Sequence, residues 1–437
     1  MARAMKDSGI AWIGEIPEDW EINKIKHHFS IMSGATPKSE IPEYWDGDIP
    51  WITPADYKTK DKYVSSGKKS LTQAGYDSCG TTFIPKGSII FSKRAPVGTV
   101  AIAKNGLCTN QGCLSCVLKD NSDCVYYYYA MSAFTKEFEL VSTGTTFKEI
   151  AADVFSNFSL PAPSVDEQHR IAQLLDDECA RIDAVIERTR ASIEEYKKLK
   201  QAVITQAVTK GIHPNRPMKD SGIDCIGMIP ATWSICKIKY LLSRDKVNLR
   251  VGPFGSSLSG LDFITEGVWV YNQRVVLDNC FTQNNTFISE EKFAELKNFE
   301  VIPGDYLITT RGSIGRVAVV PEKAPKGVLH PCIIKFRLNP EMVSRSIILH
   351  IFNNTDIVMR QIKNMSNSTT IDVLYSYSLK NIKIPLIPKE ELIEIEEYVK
   401  EISAEYDQML NKKQSLICEL ENYKKSLIFE YVTGKKL

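Results

Sequence analysis

VDEQHRIAQLLDDECARIDAVIERTRASIEEYKKLKQAVITQA, residues 165–207, contains no Gly or Pro and sits almost midway along a chain of 437 residues. It reads as one long helix. Apolar side chains recur at alternating four- and three-residue steps through Leu175, Cys179, Ile182, Ile186, Thr189, Ile193, Tyr196, Lys200, Val203 and Ala207, with Thr189 and Lys200 the only polar members. That spacing is the seam of a coiled coil. Adding 224 to each number gives a second seam near the C-terminus: Val399, Ser403, Tyr406, Leu410, Lys413, Ile417, Leu420, Lys424, Leu427 and Tyr431. A seam must be buried against something, and two matching seams in one chain are each other's nearest partners. The alternative is that each amphipathic helix lies on its own domain.

Outward from the helix, the chain repeats. MKDSGIAWIGEIPEDWEINKIKH (Met5 to His27) returns as MKDSGIDCIGMIPATWSICKIKY (Met218 to Tyr240), with 15 of 23 positions identical at an offset of 213. Identity at one fixed offset marks a duplicated unit. Each unit opens with this segment, crosses a strand-rich region, closes with a Pro-bounded strand and ends in a long helix. FIPKGSIIFSKRAPVGTVAI (Phe83 to Ile102) and VIPGDYLITTRGSIGRVAVV (Val301 to Val320) align after a one-residue shift, each predicting a hairpin of two alternating strands around a basic turn. Thr145-Thr146 is matched by Thr369-Thr370, and LPAPSVDEQHRI at Leu160 by IPLIPKEELIEI at Ile384, both at 224. The loops diverge: SGATPKSEIPEYWDGDIPWITPADY (Ser33 to Tyr57) predicts loop and short strand, and its Gly-rich counterpart VGPFGSSLSGLDF (Val251 to Phe263) shares little with it. Shared scaffold with divergent loops suggests two readers on one frame, tuned to different targets.

Composition bounds the function. Hydrophobic residues make up 43% of the chain, enough for cores of ordinary size, and no stretch approaches a membrane span or a signal peptide, so a cytoplasmic protein is expected. Eleven scattered cysteines fit buried thiols better than a disulfide framework. Cys113 and Cys116 form a C-x-x-C, yet CLSCVL alternates like a strand and no second pair follows at a finger-like spacing, so no metal site is expected. The net charge is +1, but residues 213–387 carry 21 Lys and Arg against 15 Asp and Glu, whereas 1–163 carry 17 against 18. Only the second domain is basic overall. Catalytic motifs are missing: there is no Asn- or Asp-Pro-Pro-aromatic tetrapeptide, no phosphate loop and no H-E-x-x-H, and the histidines at 27, 28, 169, 213, 330 and 350 have no ligand spacing beyond one adjacent pair.

DSGIAWIGEIPEDW, SGATPKSEIPEYWDGDIPWIT, LPAPSVDEQHRI, VGPFGSSL and the closing SLIFEYVTGK together resemble the specificity subunits of type I restriction-modification systems, over essentially the whole chain. The second helix departs from the pattern at its start, where Glu167-Gln168 becomes Glu391-Leu392. The resemblance implies an α+β protein with pseudo-two-fold symmetry: target recognition domains at 1–163 and 213–387, and antiparallel spacer helices at 164–212 and 388–437. It further implies a non-catalytic subunit whose domains each read one half of a bipartite, asymmetric site in double-stranded DNA. Two methyltransferase subunits and restriction subunits would be the partners, no membrane is involved, and S-adenosylmethionine, ATP and magnesium would serve those partners rather than this chain. The competing reading is a coiled-coil scaffold with two protein-binding heads. Helices of about 43 residues reach roughly 65 Å, and two readers on one DNA face favour half-site centres about 10 base pairs apart.

Bases are read in the major groove by Arg or Lys on guanine, by Asn or Gln on adenine and by Ser or Thr on either, while phosphates take Lys, Arg, hydroxyls and amides. Loop residues of those types are the candidates. In the first domain they are Thr36, Lys38 and Ser39; Lys93 and Arg94 in the hairpin turn; Asn110 and Gln111; and Thr145, Thr146 and Lys148. In the second they are Ser256 and Ser257; Asn272, Gln273 and Arg274; Arg311, Ser313 and Arg316; and Ser368, Thr369 and Thr370. Arg94 and Arg311 are matched by the repeat. The run Tyr126 to Tyr129 could be a stacking platform, but with Ala130, Met131 and Phe134 following it reads as a core helix.

Overall fold

Why the opening segment is repeated so closely is visible in its backbone. In the computed structural model, which describes residues 3–58, 61–144, 148–254, 256–365 and 373–436, Met5–Asp7 pairs antiparallel with Glu15–Pro17, and Met218–Asp220 pairs with Met228–Pro230 in the same register. The turn between the strands needs left-handed backbone at Gly9 and Gly14, repeated at Gly222 and Gly227, with φ between +69° and +72°. Glycine adopts this at little cost. The Asp7 carboxylate accepts the Gly9 amide at 3.0 Å, and Asp220 accepts that of Gly222 at 2.9 Å.

The chain forms two compact units, Met1–Arg190 with Ser415–Leu437, and Ala191–Gln414. Each holds a globular domain and part of each long helix. In the first, a five-stranded sheet runs in the order Phe29–Ser33, Cys113–Leu118, Ile89–Ser92, Val100–Ala103 and Tyr63–Val64. In the second, Leu249–Val251, Ile333–Phe336, Tyr306–Thr309 and Val317–Val319 follow the same order without the last edge strand. The two predicted hairpins are present, with Ile89 opposite Ile102 and Tyr306 opposite Val319.

Their alternation, however, is between two cores rather than between core and water. Ile89, Phe91, Val100 and Ile102 enter one apolar cluster, while Ile90, Ala101 and Ala103 enter another on the opposite face. Tyr306 and Ile308 are separated from Leu307 in the same way. Successive strand side chains point to opposite faces, so a sheet covered on both sides buries every position. Ser33 to Tyr57, expected as loop and short strand, holds an eight-residue strand, Trp45–Ile52. Asp46 at φ 60° bends it, and Gly47 passes so close to Thr72 that an added Cβ would lie 2.5 Å from that residue's Cα. The Asp-Gly-Asp is a bulge, not a loop.

The long helices span Val165–Lys210 and Lys389–Val432. All twenty seam positions are buried or half-buried. Both sequence alternatives are partly realised, because Ile171, Ala172, Leu175, Cys179 and Val432 lie in the core of the first unit, and Ile204, Ala207, Val208, Ile395 and Val399 in that of the second. Between these ends the helix portions pair antiparallel within each unit. In the first, Lys424 meets Asp183 at 2.6 Å and Arg190 meets Glu421 at 3.0 Å. In the second, Lys200 meets Asp407 at 2.7 Å and the Lys413 ammonium lies 4.8 Å from the centre of the Tyr196 ring. Lys200 with Asp407 and Lys424 with Asp183 are therefore the same pair, repeated at 224.

Helix and opening segment are joined by a buried carboxylate. Glu167, 8% exposed, accepts the indole N–H of the fully buried Trp20 at 2.9 Å and pairs with Arg3. Glu391 accepts the indole of Trp233 at 3.3 Å and pairs with Arg216 at 2.6 Å. The departure at the second helix start has a physical meaning: the Gln168 side chain accepts the Asp123 amide and donates to the Pro163 carbonyl, whereas Leu392 packs on the apolar core. Tyr126 to Tyr129 lie in the helix Cys124–Ala133 and are all buried, as the sequence reading anticipates, and the Tyr126 hydroxyl donates to the carbonyls of Pro161 and Val432. No helix among the described residues is long and apolar enough to cross a membrane.

Candidate nucleic-acid interface

At one edge of the first unit, four segments distant in sequence converge. The chain leaves the strand Phe29–Ser33 through Gly34, whose added Cβ would fall 2.0 Å from the Thr109 carbonyl, and the Ala35 amide donates to that oxygen at 3.0 Å. This seats half-buried Thr36 against Gln111, its hydrogen-bond partner, with Lys38 and Ser39 exposed beyond. The Asn110 side chain accepts the Gly112 amide at 2.9 Å, closing that turn. The Lys93 amide donates to the Gly112 carbonyl at 3.0 Å, and the Ile150 amide donates to the Lys93 carbonyl at 3.0 Å. The basic hairpin turn thus lies between the Asn110–Gly112 turn and the segment 148–150, where Lys148 is exposed. Thr145 and Thr146 lie outside the described residues.

The second unit builds the same edge. Gly252 approaches the His330 carbonyl so closely that an added Cβ would sit 2.1 Å from it. The Thr310 amide donates to Cys332, and the Leu374 amide to Thr310, just as Gly112, Lys93 and Ile150 are linked. The Gly98 amide bonds the Ser92 carbonyl and the Gly315 amide that of Thr309. These bonds place Thr310 where the first unit has Lys93, and Arg311 where it has Arg94, so the repeat-matched arginines occupy one backbone position. Both are exposed.

The other candidates of the second unit divide. Ser256, Ser257 and Ser313 are exposed. Gln273 donates to the Arg311 carbonyl at 2.8 Å and so joins the turn. Asn272 caps the helix Gln273–Leu277 by accepting the amides of Arg274 and Val275, and its NH2 donates to Thr286, so its amide serves the scaffold. Arg274 is exposed beside Asp278 at 3.2 Å. Arg316 donates to the Asn353 carbonyl at 2.6 Å and, with Ser313 and Gly315 of the turn, lines a cleft shared with Lys197, Lys200 and Asp356. Ser368, Thr369 and Thr370 lie outside the described residues.

Selection by residue type passed over two features. Glu149 bridges the basic turn, its two oxygens 3.0 Å from the Lys93 ammonium and 2.9 Å from Arg94 Nε. Burial alone would raise its carboxyl, but the two cations outweigh burial and hold it below the ordinary glutamate range. Phe254, in the loop after Leu249–Val251, is 84% exposed. The VGPFGSSL motif carries that signal, but polar residue type does not register it. Burial lowers the His330 imidazole below its ordinary value, and its Nδ1 accepts the Cys332 amide at 3.1 Å, so it shapes the turn. Among the described residues no group of three or more His, Cys, Asp or Glu side chains could hold a metal ion. The C-x-x-C lies on the strand Cys113–Leu118, and burial pushes the Cys113 thiol up to about 12.

A family model described as the type I restriction modification DNA specificity domain matches residues 17–195 and 261–417. The type I restriction enzyme MjaIX specificity subunit of Methanocaldococcus jannaschii is 38% identical over 190 residues, so the match spans 43% of this chain and 43% of that one. The MjaVIII specificity subunit of the same organism is 21% identical over 427 residues, 96% of this chain and 93% of the relative. A solved chain from work on complex assembly and conformational transition of the type I R-M system superposes with a TM-score of 0.68 at 15% identity, covering 95% of this chain and 98% of that one. At that identity the likeness concerns the fold.

Proposed function

Since the chain belongs to the family of type I restriction modification DNA specificity domains, we propose that it is the DNA-reading subunit of a type I restriction-modification complex. Each unit reads one half of a bipartite, asymmetric site in double-stranded DNA. The observation that carries this reading is the edge built twice from one set of backbone bonds, each time presenting an exposed arginine beside loops that differ in sequence. Backbone identity with side-chain difference is what two readers of unlike half-sites require, because specificity resides in the groups that meet base edges. The long helices fix the gap between the half-sites and offer the surface on which two methyltransferase subunits dock, with restriction subunits joining that assembly. Catalysis belongs to those partners, which use S-adenosylmethionine, ATP and magnesium; this chain supplies the address. Mapping methylated adenines in host DNA with and without the gene tests the reading. A bipartite motif that disappears with the gene supports it, and an unchanged methylation pattern would overturn it. The purified chain, given S-adenosylmethionine or magnesium, should neither methylate nor cut DNA.

A further inference from the structure

Within the first unit, the basic turn is already occupied by an acid. Glu149 is fixed by its own backbone: its amide and carbonyl exchange hydrogen bonds with Thr143 at 2.9 and 3.0 Å, and the next residue, Ile150, donates to the Lys93 carbonyl. Its carboxylate then offers one oxygen to Lys93 and the other to Arg94, much as a phosphate would. Lys93 is 16% exposed at its side chain and Arg94 49%, and Arg94 uses only Nε in the pair. The second unit lacks this arrangement at the equivalent positions, where Val373 replaces Glu149 and Thr310 replaces Lys93; its nearest acid in sequence, Asp372, lies outside the described residues. The charge difference runs the same way, with residues 1–163 slightly acidic and 213–387 basic.

We propose that Glu149 is a specificity-determining residue, an internal counterion that competes with DNA phosphate for Lys93 and Arg94. On arbitrary sequence the carboxylate keeps the two cations, so phosphate attraction comes chiefly from the second unit. On a matching half-site the base-reading groups of the first unit hold the duplex in place, and Lys93 and Arg94 exchange the carboxylate for DNA. The inference rests on the DNA-reading function proposed above and adds an order to it: the second unit attracts DNA, and the first engages conditionally.

The test titrates the full chain against two duplexes, one carrying the mapped site and one scrambled, by fluorescence anisotropy over a range of salt. Glu149→Gln, which keeps the shape and removes the charge, should bind scrambled DNA about two- to five-fold tighter, the worth of an exposed ion pair. Its log–log salt slope should steepen by about one to two, as one or two more phosphates are neutralised. The mapped site should gain less, so discrimination falls. Adding Arg94→Ala should cancel most of the gain, and Glu149→Asp, which keeps the charge, should stay near the wild type; melting curves recorded beside each titration identify a variant that has unfolded, in which case Glu149→Ser replaces Glu149→Gln. Equal affinity of wild type and Glu149→Gln for scrambled DNA overturns the proposal. So does a variant that loses only the mapped site, since Glu149 would then be positioning Arg94. Wild-type protein that binds neither duplex would remove the DNA-reading function itself.

Discussion

Arg94 and Arg311 show how far residue type can be trusted and where geometry must take over. Both stand in equivalent hairpin turns, and Arg94→Ala and Arg311→Ala should each weaken binding to the mapped site by roughly 1 to 3 kcal/mol, the range for a lost bidentate contact to guanine. Anisotropy on mapped and scrambled duplexes checks this: equal losses on both would mean that the arginines hold only phosphates. The loss at Arg94 should be the smaller, because its contact with DNA must first displace Glu149. That partner was not legible in the sequence, since nothing in the spacing of Glu149 announces its register with residue 94. Asn272 gives the converse lesson, for its type suits adenine but a helix cap uses its amide. Glu391 carries a pH prediction. The guanidinium of Arg216 lowers its carboxyl below the ordinary value of 4.5, with smaller help from the Trp233 indole and against burial, which raises it. A lowered folded-state pKa contributes stability that is present above the unfolded value and lost as pH falls through the folded one. Wild-type melting temperature should therefore drop below about pH 4.5, and Glu391→Gln should be less stable at neutral pH with a shallower acid decline. Parallel acid profiles would contradict this account.

At the scale of elements, the helices were the most legible part of the chain, because a seam at four- and three-residue steps states both the element and the burial of one face. What the periodicity could not supply was the answer to Lys200 and Lys424. Lys200 and Lys424 lie on the seam, half-buried, and each is met by an aspartate of the opposite helix, Asp407 and Asp183. Asp183 follows seam residue Ile182 and Asp407 follows Tyr406, one step off the stripe, so only the antiparallel register reveals them. The strand Trp45–Ile52 is longer than the short strand expected in Ser33 to Tyr57 for a related reason: Gly, Pro and Asp are shared by loops and bulges, and composition alone does not tell them apart. The register also shows how to test the helices as a ruler. Four residues inserted after Arg190 together with four after Gln414 fall between the two units, so the contacts within each unit are kept. Each helix grows by about 6 Å, and methylation mapping should show the unread gap widened by one or two base pairs with both half-sites unchanged. An unchanged gap in an active protein would mean that the helices do not set the spacing.

The molecule as a whole repeats its scaffold and varies its edges. The opening hairpin with its two positive-φ glycines, the buried Arg–Glu–Trp contact and the Lys–Asp pair all recur, at offsets of 213 or 224. The strand order recurs as well, while the loops after Ser33 and Val251 share little. The duplication and its closing strands could be read directly, since identity at a fixed offset needs no structure. Which loops converge could not, because Thr36, Lys93, Gln111 and Glu149 meet only through sheet pairing. In the proposed function the two domains read their half-sites independently. The most direct test exchanges residues 28–160 for the matching region of a relative and maps methylated adenines in a host carrying the hybrid. One half of the motif should change to the relative's, with the other half and the gap retained; a hybrid in which both halves change would contradict independent reading.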